Sequence, residues 1–134
     1  MAVQWTPDLA VGVTLIDDQH KELFKRINRL LEASSQGKGK DEIGKLIQFL
    51  SDYVVTHFAT EEKAMIQHGY GGVSAHKLEH LAFLRDFRDL ASSYESQGAS
   101  TSLLLAVQRR VIDWLNNHIR QSDKALGGFL KTKV

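Results

Sequence analysis

The chain has 134 residues, with 17 Lys and Arg against 16 Asp and Glu and a formal net charge of +1. We expect a single domain over residues 1–134 that buries a core without covalent cross-links. The chain contains no cysteine, which excludes disulfides, thiolate metal sites and a cysteine nucleophile. The balanced charge argues against a nucleic-acid partner, since duplex binders concentrate a basic excess on one face. No membrane-spanning apolar run and no secretory signal is visible, so we expect a cytoplasmic protein.

The N-terminal residues 1–17 show no sustained helical period and contain Pro7, the single proline. We predict that they form an extended arm packed on the domain. Its packing residues are predicted to be Trp5, Leu9, Val11, Val13, Leu15 and Ile16. Asp17 or Asp18 then offers an N-cap side chain for a first helix, which carries apolar residues at three- and four-residue spacing and ends near Gly37.

Three more amphipathic helices are predicted, and no segment of useful length has the two-residue period of a strand. The second begins near Asp41 and ends before the glycine-rich residues 69–72. The third covers about residues 74–94, and the fourth follows a turn at 96–102. Four such helices predict an all-α, up-down-up-down antiparallel four-helix bundle over residues 18–127. Their predicted inward residues are Leu23, Phe24, Ile27, Leu30, Leu31, Ile43, Leu46, Ile47, Leu50, Val54, Phe58, Phe83, Leu84, Phe87, Leu90, Ala91, Leu104, Val107, Val111, Trp114 and Leu115.

Five of the six histidines continue these apolar stripes, so they are predicted to face the core. The polar residues in phase with the stripes are His20, His57, Glu61, His76, His80 and His118. In an antiparallel bundle, the starts of the first and third helices meet the ends of the second and fourth. All six residues are therefore expected in one polar layer at one end of the bundle. His68 lies outside the stripes and is expected to face solvent.

A single buried histidine is more often a hydrogen-bonded core residue than a metal ligand. Here, five lie in phase at one end, and the helices carry two i,i+4 pairs, His57 with Glu61 and His76 with His80. Burial and mutual repulsion on protonation would penalise such a cluster if it held no cation. We therefore predict a metal site.

Asp123 is a seventh candidate ligand, although its spacing from His118 is irregular. Five residues of α-helix place two side chains about 140° apart. The helix must therefore widen locally into a π-type turn or end there. Gln19, Glu22 and Glu62 adjoin the candidate ligands but should point away by about 100° per residue, so they are left out of the ligand set. Glu62 is kept as a candidate to support one of the ligands.

This set of residues resembles the hemerythrin family, and in particular the single-domain bacterial hemerythrins. The matching segments are His20, HFATE at 57–61, HKLEH at 76–80 and HIRQSD at 118–123, and the likeness covers nearly the whole chain. The resemblance implies two iron ions per chain, alternating between Fe2+ and Fe3+ and joined by an oxo or hydroxo bridge. One iron would be held by His76, His80 and His118, the other by His20 and His57, with Glu61 and Asp123 bridging both. An octahedral pair with these ligands has one open position, on the iron held by His20 and His57.

The resemblance also implies the function, which is reversible oxygen binding as a carrier or store rather than catalysis. It places Leu23, Phe58, Trp114, Leu115 and Ile119 around the open position. The spacing independently places Leu115 one turn before the His118 ligand on the same helix face. The expected partner is dioxygen, with an oxygen-consuming enzyme as a candidate recipient, and we expect a monomer.

Three alternatives use the same residues. An oxygen or redox sensor would need an output domain or a partner that reads its conformation. A di-iron enzyme acting on nitric oxide or peroxide would need a redox partner. A dizinc hydrolase would need a general base beside the metals, and the sequence offers no obvious one.

Overall fold

Four long helices account for most of the protein, whose computed structural model describes residues 4–133. The helices are α1 (Thr14–Ser35), α2 (Gly39–His68), α3 (Val73–Gln97) and α4 (residues 101–130). None of residues 4–133 lies in a β-strand. The predicted all-α, four-helix architecture is confirmed.

Local backbone chemistry sets the helix ends that orient the bundle. α2 ends where Gly69 adopts a left-handed conformation with φ of 69°, which glycine reaches without a Cβ clash. The Tyr70 N–H then donates to the Met65 carbonyl at 2.9 Å. α4 begins after Ser100, whose hydroxyl oxygen accepts a hydrogen bond from the Leu103 N–H at 3.0 Å. These turns return the chain so that the candidate ligands meet at one end.

The arm is shorter than predicted. α1 begins at Thr14 rather than after a cap at Asp17 or Asp18, and no side chain caps its first turn. The Asp17 carboxylate instead accepts a hydrogen bond from the Val11 N–H at 2.9 Å, which ties the arm to α1. The first three residues of the predicted arm lie outside the described residues.

Leu15 was predicted to pack inward and does not, since 57% of its surface is exposed. Because Thr14 already lies in α1, Leu15 and Ile16 are separated by a helical step of about 100°. Ile16 is fully buried, and Leu15 therefore faces solvent. Leu9 and Val11 are buried as predicted.

α4 contains two π-helical segments that change the phase of its apolar face. They are Gln108–Ile112 and Ile119–Asp123. A π-turn contains more residues than an α-turn, so side chains four residues apart stay on one face of the helix. The buried residues of α4 recur at this four-residue spacing. They include Leu103, Val107, Val111, Leu115, Ile119 and Asp123. Leu104, which was predicted inward, is partly buried and packs against the core, whereas its neighbour Leu103 is buried within it.

The bundle core is apolar along most of its length and becomes polar at one end. Leu31, Leu84, Ala91 and Trp114, all predicted inward, are partly buried and pack against the main core. Leu104 packs against the core in the same way, and the other predicted inward residues are buried within it. Within residues 4–133, no helix has the length and apolar character needed to cross a membrane.

Candidate metal centre

Seven polar side chains converge at the end of the bundle where α1 and α3 begin. At most 4% of the surface of any one of them is exposed. They are His20 from α1, His57 and Glu61 from α2, His76 and His80 from α3, and His118 and Asp123 from α4. The structure thus brings together all seven residues that the sequence singled out as candidate ligands.

The seven residues divide into two overlapping groups whose nitrogen and oxygen atoms lie within 4.8 Å of one another. One group has three histidines, His76, His80 and His118, and the other has two, His20 and His57. Both groups include the same two carboxylates, Glu61 and Asp123. The arrangement is therefore suited to two cations that share two carboxylates.

Glu61 directs one carboxylate oxygen at each group. Its Oε2 lies 2.9 Å from His20 Nε2 and 3.3 Å from His57 Nε2. Its Oε1 lies 3.0 Å from His80 Nε2 and 3.3 Å from His76 Nε2. A carboxylate in this position can bridge two ions with one oxygen each.

The two carboxylate oxygens of Asp123 likewise lie near different groups of histidines. Its Oδ2 lies 3.0 Å from His20 Nε2, whereas its Oδ1 lies 3.0 Å from His76 Nε2 and 3.2 Å from His118 Nε2. Among residues 4–133, no donor is aligned to form a hydrogen bond with either oxygen. A fully buried carboxylate without aligned donors is costly. Two bridged cations would satisfy both oxygens, so the donor set fits a pair of metal ions.

A π-turn between His118 and Asp123 brings the two side chains to the same cluster. The segment Ile119–Asp123 is π-helical, and the Lys124 N–H donates to the Ile119 carbonyl five residues earlier. The sequence left open whether the helix widens or ends after His118, and the structure shows that it widens. This local geometry brings a residue that would be about 140° out of phase in an α-helix to the ligand face.

The electrostatics of the cluster favour cations between the carboxylates. Burial opposes protonation of His20, but its contacts with Asp123 and Glu61 raise its pKa to about 10. The same balance raises the pKa of His76 to about 9. Burial alone would raise the pKa values of Glu61 and Asp123, yet the surrounding histidines lower both. A metal ion that binds here must displace histidine protons, because only the neutral ring ligates.

Three of the candidate ligand histidines have a partner on the Nδ1 atom, the ring nitrogen that faces away from the cluster. The contacts are His57 Nδ1 to Gln19 Oε1 at 2.7 Å, His80 Nδ1 to Glu62 Oε2 at 2.9 Å and His118 Nδ1 to Glu79 Oε1 at 2.8 Å. An Nδ1–H that donates to oxygen leaves Nε2 free to bind a metal ion. These partners therefore hold the ring tautomer that the site requires.

Only some of these outer partners (Gln19, Glu62 and Glu79) could be predicted from the sequence. Gln19 was set aside as pointing away, but it is buried and contacts His57, because a step of about 100° from His20 points it at α2 rather than at solvent. Glu79 was missed. Its signal was its position immediately before His80, on the side of α3 that faces α4. Glu62, for which the sequence kept a supporting role open, contacts the candidate ligand His80.

Two aromatic rings cover the histidine cluster. Phe58 stacks on His80 with ring centroids 3.8 Å apart, and Trp114 stacks on His118 at 4.5 Å. Phe58 and Trp114 also contact each other, with centroids 6.0 Å apart. Leu23, Leu115 and Ile119, the other residues expected to line a ligand pocket, are at most 1% exposed and belong to the same core.

His68 and Glu22, which the sequence leaves out of the ligand set, both lie outside the site. His68 is exposed at the end of α2 and belongs to neither group of candidate ligands. Glu22 forms an i,i+4 ion pair with Arg26 at 3.0 Å on the side of α1.

The helical bundle and its buried cluster of histidines and carboxylates are those of an all-α protein suited to bind cations. The sequence profile of the Hemerythrin HHE cation binding domain matches residues 11–130. The chain therefore belongs to the hemerythrin family, and the resemblance noted in the sequence is confirmed. A hemerythrin domain implies non-haem iron at such a cluster.

Individual relatives agree with this placement. A bacteriohemerythrin from Methylococcus capsulatus is 38% identical over 124 residues, which cover 92% of each chain. A bacteriohemerythrin from Pseudomonas aeruginosa is 38% identical over 122 residues, covering 89% of this chain and 75% of the relative. The crystal structure of a wild-type hemerythrin is similar with a TM-score of 0.77 and 36% identity, covering 96% of this chain and 97% of that one.

Proposed function

We propose that this protein binds dioxygen reversibly at a pair of non-haem irons and serves as an oxygen carrier or store. The seven buried side chains are the proposed ligands, with His76, His80 and His118 on one iron and His20 and His57 on the other. One observation carries the proposal. Glu61 and Asp123 each direct one carboxylate oxygen at the three-histidine group and the other oxygen at the two-histidine group.

This ligand set leaves one iron more open than the other. Three histidines and two carboxylate oxygens make five ligands on the first iron, whereas two histidines and two oxygens make four on the second. A shared oxo or hydroxo bridge would raise these numbers to six and five. In an octahedral pair, the open position would therefore be on the iron held by His20 and His57. When bound, the iron pair supplies this position and the electrons that reversible oxygen binding requires.

The surrounding residues exclude water from the site. Phe58, Leu115 and Ile119 are at most 2% exposed, and Trp114 covers the His118 ring. A water molecule in such an apolar environment lacks its usual two to four hydrogen-bond partners, so its entry is unfavourable. The role of this wall is to slow the irreversible oxidation of the irons while leaving the small, apolar oxygen molecule free to enter.

The ligand composition favours oxygen binding over oxygen activation. Ferritin-like di-iron proteins use a Glu on each of two helices and a Glu-x-x-His motif on each of the other two. This cluster has five histidines and two carboxylates. Neutral nitrogen ligands stabilise high-valent iron less than carboxylates do, which disfavours the oxidants that an oxygenase needs. The proposal is therefore a binding protein and not an enzyme.

Iron and oxygen stoichiometry test the proposal. Protein purified after expression with sufficient iron should contain two irons per chain and, once reduced, should take up one dioxygen per two irons. Iron is measured by elemental analysis and oxygen uptake with an oxygen electrode. One iron per chain, stoichiometric zinc, or sustained oxygen consumption in place of a single uptake step would contradict it.

A further inference from the structure

Glu79 connects α3 to both ends of the π-turn in α4. Its Oε1 atom accepts a hydrogen bond from Ser122 Oγ at 2.7 Å and lies 2.8 Å from His118 Nδ1. His118 directly precedes the π-helical segment Ile119–Asp123, and Ser122 lies inside it, next to Asp123. Glu79 Oε1 thus contacts one residue just before the π-helical segment and one residue within it.

The π-turn needs support from outside its own helix. π-helical backbone is rare, and it occurs mostly as single turns within α-helices, frequently at functional sites. Return to a regular α-helix would place Asp123 about 140° from His118 around the helix axis. Asp123 would then leave the cluster that its two oxygens now join. A contact that spans the turn opposes this change.

We propose that Glu79 is a positioning residue that holds the π-turn open and thereby sets the placement of Asp123 against His118. The inference rests on the metal centre of the proposed function, but not on oxygen as its ligand. Glu79 does not belong to either group of candidate ligands, and 45% of its side chain is exposed. It acts through His118 and Ser122 rather than by contact with a metal ion.

Glu62 and Gln19 also contact candidate ligand histidines, but neither of them contacts the π-turn. Glu62 contacts His80 at 2.9 Å, and both residues lie in regular α-helix. Gln19 contacts His57 at 2.7 Å and donates to the Thr60 hydroxyl at 3.3 Å, again within regular helices. Loss of either contact frees one histidine ring but leaves the π-turn intact. Glu62 is therefore the matched control, since it is also a carboxylate on a ligand Nδ1.

The test compares Glu79→Ala, Glu79→Gln, Ser122→Ala and Glu62→Ala in the iron-loaded protein. One readout is the rate of iron loss to a ferrous chelator, and the other is amide hydrogen exchange over residues 119–124. Glu79→Ala should lose iron faster by about tenfold, the lower end of the range for loss of an outer-layer partner. It should also speed exchange in the π-turn. Glu79→Gln should restore both values to within about threefold of wild type, since its amide oxygen still accepts hydrogen bonds.

Ser122→Ala should speed exchange in the π-turn by about fivefold, which corresponds to the loss of one hydrogen bond. This variant removes a single hydroxyl and keeps the test decisive if Glu79→Ala fails to fold. Glu62→Ala should speed iron loss without changing exchange over residues 119–124. The proposal is overturned if Glu79→Ala and Ser122→Ala both exchange like wild type. It is also overturned if Glu79→Gln is as defective as Glu79→Ala, because charge and not position would then be the cause. Neither readout measures oxygen, so failure of oxygen binding would leave this test interpretable.

Discussion

Replacing His20 with alanine should abolish oxygen binding. His20 is fully buried, and its Nε2 lies 2.9 Å from Glu61 Oε2 and 3.0 Å from Asp123 Oδ2. In the proposed centre it would be one of two histidines on the more open iron, and its loss would leave that iron with one nitrogen ligand. We expect purified His20→Ala protein to contain at most one iron per chain and to show no absorption change when oxygen is added.

His68→Ala is the matched control for this experiment. His68 is exposed at the end of α2 and contributes to neither group of candidate ligands. Its replacement should leave iron content and the oxygen-dependent spectrum unchanged. Normal oxygen binding by His20→Ala, or its loss in His68→Ala, would mean that the site has been placed wrongly.

Replacing Leu115 with asparagine should speed the conversion of the oxygen-loaded protein to the ferric form by about tenfold, equivalent to about 1.4 kcal/mol off the barrier. Leu115 is 1% exposed and lies one turn before His118 on α4. Asparagine has a similar volume, but it offers hydrogen-bond partners to water inside the wall of the site. Water admitted there promotes irreversible oxidation of the irons. Both irons should still be retained, since Leu115 is not a candidate ligand.

Leu105→Asn controls for the chemistry of this substitution. Leu105 lies on the same helix, but 48% of its surface is exposed, so asparagine there adds no polar group to the core. The rate is measured as the decay of the oxygen-dependent absorption band in air, at one pH for all variants. Equal decay rates for wild type and Leu115→Asn would show that Leu115 does not keep water out of the site.

The bundle and the convergence of the candidate ligands could be predicted because both follow from helical periodicity. His57 and Glu61 continue the apolar stripe of α2, and His76 and His80 continue that of α3, so burial of the stripes necessarily brings them inward. Antiparallel connection then places all of them at one end. The irregular spacing of Asp123 from His118 also predicted a local departure from α-helix as one of two alternatives.

Some contacts and buried positions could not be predicted, because they depend on local helix geometry and on how each helix is rotated about its axis relative to its neighbours. Gln19 and Glu79 lie one residue before a candidate ligand, and each points at an adjoining helix that sequence periodicity alone does not orient. The burial of Leu103 was missed because a regular helical period does not hold across the π-helical segment at 108–112. Leu15 was misplaced because α1 begins three residues earlier than the nearest candidate cap at Asp17.

The most direct test of reversible oxygen binding is the optical spectrum of the reduced, iron-loaded protein through repeated cycles of oxygen addition and removal. The buried ligand cluster and its apolar wall predict an absorption band that appears with oxygen, disappears under vacuum or argon and returns with most of its intensity in the next cycle. Permanent conversion to a ferric spectrum on the first exposure, or no spectral response to oxygen at all, would contradict the proposed function.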